Sequence, residues 1–351
     1  MTRSRPHDDS VVAIDEALSW QAGYCRQRGS DIAAALLDAV SADIAQGGPL
    51  AAILPARVRF GDLPGLRVMA AVHELALTRR APAVALHLPT LGGTAPSAWG
   101  AFSEAVVAAL VRHPTVLADA LARTPQTNET GRSALLRAAL SRIPGPVRLR
   151  ELGASAGLNL RADHLPGDPA LESGPLPTVV DRLGCDLHPI DPMTTDGRVR
   201  LTSYVWVDDV ARFERLRTAL DVASRVPATV IAADAADFTA SLELADGETV
   251  LWHSAVWVYL PEPTRRAIQQ AIRALGARAT PSRRLAHVSW EWRPEGGEVS
   301  APFELVLRRW DGAAHVGRPH VIAVGASHGS PAELVNNTAG EVDPLDVPHS
   351  L

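Results

Sequence analysis

Apolar residues recur at three- and four-residue steps through the first part of the chain. Val12, Ile14, Leu18 and Ala22 form one such stripe, and Ile32, Leu36, Leu37, Val40 and Ile44 form another after a Ser30–Asp31 start signal. The same spacing predicts helices over 66–77, 98–111 and 133–143, with breakers at Pro55, Gly61–Pro64, Pro89–Pro96 and Pro114 between them. At 147 the period shortens. Val147, Leu149 and Leu152 mark a first strand, and further strands are expected at 179–187, 199–207, 228–233, 248–256, 285–291, 303–310 and 319–326. Helices fit at 209–224 and 262–275, and the last two strands flank Asp311-Gly312 as an antiparallel hairpin. The pattern predicts an all-helical region over 1–145, an α/β domain over 146–330 and a loosely ordered tail over 331–351, where Asn336, Asn337, Gly340, Pro344 and Pro348 interrupt any periodicity. The helical region could serve as a lid, a substrate domain or a dimerisation unit, and in the last case the chain would form a homo-oligomer.

The segment 147–160, Val-Arg-Leu-Arg-Glu-Leu-Gly-Ala-Ser-Ala-Gly-Leu-Asn-Leu, carries the strongest chemical signal. A strand runs through Gly153, Ala154, Ser155, Ala156 and Gly157 towards Leu158, Leu160 and Ala162, where a helix is expected to begin. Such a turn lets a ligand approach the main chain and leaves N–H groups unpaired at the helix start. Glu151 suits a ligand offering donors, such as a ribose diol or an ammonium group. Three readings stay open. Gly153-x-Ser155-x-Gly157 matches the nucleophile elbow of serine hydrolases. The full G-x-G-x-x-G of dinucleotide enzymes is missing. E-x-G-x-S-x-G resembles the first motif of class I S-adenosylmethionine-dependent methyltransferases, and this would be the first strand of its sheet, unlike a hydrolase elbow. A purely structural glycine turn is the plain alternative.

Other polar clusters gain meaning from their place in this alternation. In Thr124-Pro-Gln-Thr-Asn-Glu-Thr-Gly-Arg132, polar side chains crowd the start of an apolar helix. A helix of ~14 residues matches a six-residue strand in length, so an antiparallel pairing would return Gln126, Asn128, Glu129 and Arg132 to the carboxyl end of the first strand; simple capping by Thr127 or Asn128 is the alternative. Asp234, followed by Ala235, Ala236, Asp237 and Phe238, could accept from an adenine amino group or merely cap a helix. His253, Ser254, Trp257 and Tyr259 end a later strand, where His253 could act as a base or be a buried core histidine. A ribose-binding carboxylate should end the second strand, and Asp186 and Asp208 compete for that place. Trp290, Glu291 and Trp292 at a later strand end could face the pocket, but amphipathic alternation explains them adequately.

Composition narrows the classes. With 351 residues, 46 % of them hydrophobic and 21 % charged, the chain is long enough for two domains, or one domain with a large addition, and for a sizeable core. The sequence contains no lysine, so every cationic side chain other than histidine is arginine, and a net charge of −5 provides no general field for nucleic acid or acidic membrane. Cys25 and Cys185 form no redox or metal spacing, and the dispersed histidines suggest no metal site. A polar start and no apolar run of ~20 residues lead to the expectation of a cytoplasmic protein with a small-molecule substrate.

Several stretches together resemble the bacterial DUF2332 family: Gln126–Arg132, Glu151–Asn159, Arg182–Pro189, Tyr204-Val-Trp206 and Val250–Trp257. The likeness covers roughly 15–330, with the stretch between Arg161 and Pro177 shorter than in other members. The family has no assigned reaction, and the likeness implies only a helical region joined to a methyltransferase-like domain. Together with the E-x-G-x-S-x-G motif this leads to the expectation of a mostly parallel Rossmann-like sheet with an antiparallel last strand, and of S-adenosylmethionine as cofactor. Under that reading Glu151, Gly153, Ala154, Ser155, Gly157, Asn159, Asp186, Asp234, Ala235 and His253 would line the cofactor. Asn128, Glu129, Arg132, Trp257 and Tyr259 would face the substrate, with His253, Tyr259 and Glu129 as catalytic candidates. The rivals are a hydrolase using Ser155 with Asp234 and His320 or His328, and a non-catalytic protein that binds the cofactor or another nucleotide.

Overall fold

The computed structural model describes residues 10–292 and 303–335. They form two compact units. One comprises the described residues up to Thr127 together with Pro192–Arg217, and the other comprises Asn128–Asp191 and the described residues from Thr218 onward. The division therefore falls at 127/128 rather than at 145/146, and the helical unit takes a second piece of chain from the midst of the expected α/β domain.

The first unit opens with β1 (Val11–Ala13) and α1 (Ile14–Gln27), followed by α2 (Asp31–Ala45), β2 (Arg57–Arg59), α3 (Pro64–Leu77), α4 (Pro82–Ala85), α5 (Trp99–Arg112) and α6 (Pro114–Ala122). The region is not all helical, because β1 and β2 pair antiparallel. Pro114 does break the helix, yet it also starts the next one, since a proline at the first position of a helix removes only an N–H that would have had no partner. Among the described residues no single helix is long and apolar enough to cross a membrane; α5 and α6 reach that length only together, across an 84° bend. Their apolar faces, including Phe102, Val106, Leu110 and Leu117, lie in one buried core with Leu18, Leu36, Leu37, Val72 and Leu75.

The chain then gives α7 (Ser133–Leu140) to the second unit and returns to the first as α8 (Thr195–Ser203). A strand expected over 199–207 is absent. Thr194 caps α8 by accepting from Gly197 N at 3.0 Å, and Tyr204, Val205 and Val207 are buried in the turn that follows. A short apolar run is compatible with either element, and burial of this one in a helical core decides it. Asp208 also finds its place here: it accepts from Ser30 Oγ and from Ile32 N at 2.9 Å, capping α2 where the Ser30 side chain does not cap it. It is no ribose ligand.

His73 is wholly buried on α3, its Nδ1 3.1 Å from the Val205 carbonyl and its Nε2 3.1 Å from Thr90 Oγ1. Burial pushes its pKa down from 6.5 to about 4, so the ring is neutral in the folded chain. The unfolded chain takes up this proton near 6.5 and the folded chain only near 4, so the stabilisation held above 6.5 is lost as pH falls through that window. Stability is expected to fall by up to about 1.4 kcal/mol per pH unit there. His73→Gln should remove that slope in urea titrations at stepped pH, and an unchanged slope would show that another group titrates.

The second unit is built on one sheet of order β10-β9-β8-β7-β6-β3-β4-β5. Its strands are β3 (Val147–Leu152), β4 (Val179–Asp186), β5 (Thr229–Ala232), β6 (Gly247–Ser254), β7 (Arg283–Trp292), β8 (Phe303–Trp310), β9 (His320–Gly325) and β10 (Ala332–Leu334). The run β5-β4-β3-β6-β7 is parallel, and β8, β9 and β10 follow as an antiparallel meander. The expected hairpin is present as β8 and β9. The antiparallel edge, however, holds three strands rather than one, and β10 lies in the segment expected to be loosely ordered; the tail positions from 336 onward lie outside the described residues.

Alternation along the parallel strands sends side chains to both faces of the sheet. Val147, Leu149, Val250, Trp252, Val288 and Trp290 meet Leu135, Leu136 and Leu140 of α7. Leu152, Leu251 and Leu285 meet Phe238 of α10 (Ala235–Ala240) and Ile268, Ile272 and Leu275 of α11 (Glu262–Ala277). The division between units falls within α9 (Val210–Ala223). The helix expected after the glycine turn is only a 3₁₀ turn, Asn159–His164, kinked at Arg161. The Arg161 guanidinium reaches back to the Gly157 carbonyl at 2.6 Å and across to the Val226 carbonyl at 2.6 Å, holding the chain off the α path.

Candidate functional site

In a parallel sheet whose chain runs outward in both directions from one pair of strands, ligands bind beyond the carboxyl ends of that pair. Here the pair is β3 and β6. In the second unit three described residues other than glycine have left-handed backbone: Asn128 (φ 34°), Ser155 (φ 53°) and Ala255 (φ 48°). Ser155 follows β3, Ala255 follows β6, and Asn128 is hydrogen-bonded to the β3 turn. Such conformations cost of order 1–3 kcal/mol each and persist where surrounding structure imposes them, often at sites of function.

The glycine turn itself is not an open cradle. Ala154 N donates to the Cys185 carbonyl at 2.9 Å, Ser155 N to Asp186 Oδ2 at 2.9 Å, Gly157 N to the Ala154 carbonyl at 2.7 Å, and Leu158 N to Asn128 Oδ1 at 3.3 Å. Four of the main-chain donors expected to be vacant are therefore engaged, by β4, by the turn's own Ala154 carbonyl and by the Asp186 and Asn128 side chains. Gly153 and Gly157 are both left-handed (φ 65°), and a Cβ on Gly153 would stand 2.6 Å from Val256 Cγ2. Glycine is needed there for close packing as well as for the backbone angle. Ala154 and Ser155 are buried, and among the described residues Ser155 Oγ has no hydrogen-bond partner and no base that polarises it.

Asp186, not Asp208, ends the second strand of the sheet. Besides Ser155 N its carboxylate accepts from His188 N at 2.9 Å, a turn-closing contact. Asp234 does what a helix cap does: Oδ1 accepts from Ala236 N at 2.7 Å and Asp237 N at 3.4 Å, and Ala235 is buried as the first residue of α10.

Glu151 lies on the α7 face of the sheet, 2 % exposed. Burial raises its pKa from 4.5 to about 8, outweighing Asn159 and Trp252 beside it, which favour the ionised form. The carboxyl therefore carries a proton at neutral pH, and its Oε2 accepts no hydrogen bond. Asn159 is fixed from the other side, its Oδ1 accepting from Ser133 Oγ at 2.8 Å.

The segment 128–132 belongs to the sheet unit and ties three loops together at this edge. Asn128 Nδ2 donates to the Ala154 carbonyl at 3.4 Å after β3, and Arg132 donates to the Ser254 carbonyl at 3.2 Å after β6 and to the Ser327 carbonyl at 2.9 Å after β9. Glu129, 1 % exposed, accepts from Gly131 N at 3.0 Å and stands 3.3 Å from His328 Nδ1, whose side chain is 41 % exposed. The predicted return of Asn128, Glu129 and Arg132 to the end of the first strand is observed. Gln126 is in the other unit, bonded to Arg200.

On the opposite face, His253 Nδ1 is 2.7 Å from Glu291 Oε1 and its Nε2 is 3.0 Å from His287 Nε2. Glu291 also accepts from Val256 N at 3.1 Å and Trp257 N at 3.3 Å, while the Trp257 ring stacks on His253 at 5.1 Å. Burial, with His253 and Arg308 adding to it, holds His287 neutral. If His253 donates from Nδ1 to the carboxylate, its Nε2 accepts from His287 Nε2–H, and His287 Nδ1 is left without a partner, as observed. His253 is thus the buried, internally bonded histidine of the plainer reading. Tyr259, half-exposed, stands in the field of Arg132 and Glu291. His287 and Arg308 escaped sequence reading and Glu291 was assigned to amphipathic alternation, although alternation along β7 places His287 and Glu291 on one face.

Fold and site together define an α/β protein whose mostly parallel sheet gathers acidic, histidine and arginine side chains at its carboxyl edge. The chain belongs to the family described as uncharacterised protein conserved in bacteria (DUF2332), whose model matches residues 15–167 and 165–333. The two matches overlap at residues 165–167. No curated protein and no solved structure matches the chain.

Proposed function

We propose that this protein is a cytoplasmic, S-adenosylmethionine-binding enzyme of the Rossmann-like, class I methyltransferase type, acting on a small molecule rather than on nucleic acid or a membrane. One observation carries the reading: beside the β3–β6 switch point lies a buried, proton-bearing carboxyl, Glu151, whose Oε2 lacks a donor. A ligand ammonium or ribose hydroxyl would provide that donor. Asp186 and Asn128 already accept from the N–H groups of Ser155 and Leu158, in the way a ligand's carboxylate or hydroxyl would, and both would yield to it. Methyl transfer requires in-line positioning, with a base only where the acceptor carries a proton. His328, half-exposed and oriented by buried Glu129, supplies that base better than enclosed His253, and Tyr259 lines the same edge. The hydrolase alternative gains nothing from a Ser155 hydroxyl without a partner.

Calorimetry of the full chain against S-adenosylmethionine, S-adenosylhomocysteine and NAD tests the proposal. Heat with the first two, reduced roughly tenfold in affinity by Glu151→Gln, is the expected result. Heat with NAD alone, or with none of the three, would overturn it.

A further inference from the structure

The helical unit holds a cluster of arginines that the cofactor reading does not use. Three guanidinium groups converge on the chain between Leu121 and Gln126, where α6 ends. Arg67, from α3, donates to the Leu121 carbonyl. Arg123 lies two residues further along, bonded to Glu74 Oε2 at 3.1 Å. Arg200, from α8, donates to Gln126 Oε1 at 3.1 Å. Tyr204, 2 % exposed at the end of α8, sits among all three and bonds to Arg200.

The charges do not balance. Glu74 is shared by Arg123 and Arg80, the latter at 3.6 Å, and Asp119 is 3.9 Å from Arg123 with its side chain 67 % exposed. Among the described residues Arg67 and Arg200 have no carboxylate partner, and the Nε of each is buried without an acceptor. A buried guanidinium donor without an acceptor is costly, since desolvation is not repaid by a hydrogen bond. Structural arginines are normally satisfied. Both residues stay partly exposed, so a solute can reach their outer edges.

We propose that Arg67 and Arg200, with Arg123 and the Tyr204 hydroxyl, form a binding site for a small oxyanion, a carboxylate or phosphate group carried by a small molecule. The guanidinium fork matches either group with two parallel hydrogen bonds, which the partly exposed outer edges of Arg67 and Arg200 offer. Gln126 orients Arg200 through its side-chain oxygen, which gives one residue of the Gln126–Arg132 motif a role outside the sheet unit. The site lies wholly in the helical unit and stands or falls independently of S-adenosylmethionine binding.

The test is thermal unfolding and calorimetry of the full chain with inorganic phosphate and with succinate, at constant ionic strength. Saturable binding of one or both is expected, weakened roughly tenfold by Arg200→Gln and by Arg67→Gln, and unaffected by Arg112→Gln on α5. Equal responses in the parent, in both site variants and in the control would reduce the effect to general salt stabilisation and overturn the proposal. So would the absence of any saturable response in the parent. If one site variant fails to fold, the other carries the comparison. Loss of phosphate binding with S-adenosylmethionine binding retained would separate this site from the cofactor site.

Discussion

Glu151→Gln is expected to leave the protein more stable than its parent at pH 8 and above, and to flatten the decline in stability that leads there. The sign follows from the proton. In the folded chain Glu151 keeps it up to about pH 8, whereas in the unfolded chain the carboxyl releases it near 4.5. Within that window the unfolded state binds fewer protons, so stability falls as pH rises, by up to about 1.4 kcal/mol per unit. Between 4.5 and 6.5 the opposite slope of His73 offsets this, so the interval from 6.5 to 8 reads Glu151 most directly. Urea unfolding of both proteins at stepped pH gives the measurement. A parent whose stability does not fall there would mean that Glu151 is ionised when empty. The same proton bears on function: a cationic ligand group beside Glu151 would expel it, so binding at pH 7 should release close to one proton, seen as a dependence of the heat on the buffer's ionisation enthalpy.

The second large effect is expected at Glu291. Its carboxylate accepts from His253 Nδ1, Val256 N and Trp257 N, at 2.7, 3.1 and 3.3 Å. Glu291→Ala leaves all three donors without that acceptor in a largely buried place. Leaving buried donors unsatisfied costs on the order of 1–3 kcal/mol apiece, so a total loss of roughly 4 kcal/mol is reasonable after partial relaxation. Glu291→Gln keeps an acceptor but not the charge and should lose about half as much. Denaturant unfolding of both variants checks the order. An alanine variant within about 1 kcal/mol of the parent would show that the 255–257 loop is held by other contacts.

Much of the architecture was legible from local pattern. The strand expected at 147–152 and that at 303–310 occur with those bounds, and the helices expected from 209 and 262 begin within one residue of their observed starts. These segments have long, regular periods and lie in surroundings that agree with them. The failures cluster where the pattern is short or the partner is remote. The segment 199–207 reads as a strand because a short apolar run cannot distinguish a strand from a buried piece of helix and turn. Thr194 and the core around Val207 decide it. The loss of a regular helix after Gly157 depends on Arg161 finding the Val226 carbonyl, 65 residues away.

The site divides in the same way. Asp234 caps its own helix, a contact of two and three residues that composition anticipated as the plainer alternative. That Asn128, Glu129 and Arg132 return to the end of β3 followed from element lengths alone. Their actual partners, the Ala154, Ser254 and Ser327 carbonyls and His328, come from separate loops that only folding brings together. Glu291 looked like half of an amphipathic pair, since nothing local says that a histidine from the neighbouring strand will face it.

By itself, the order of residues determined the alternation of helix and strand, the hairpin of β8 and β9, the family, and the acidic residue and glycine turn at the end of the first strand. Those depend on periodicity and on backbone freedom within a few residues. Tertiary structure alone decided that four of the turn's N–H groups are already taken, that Glu151 keeps a proton and that the chain returns to the helical unit at Pro192. Each of these depends on burial or on partners distant in sequence, and the free energy of a buried charge or hydrogen bond is set by what surrounds it rather than by what precedes it in the chain.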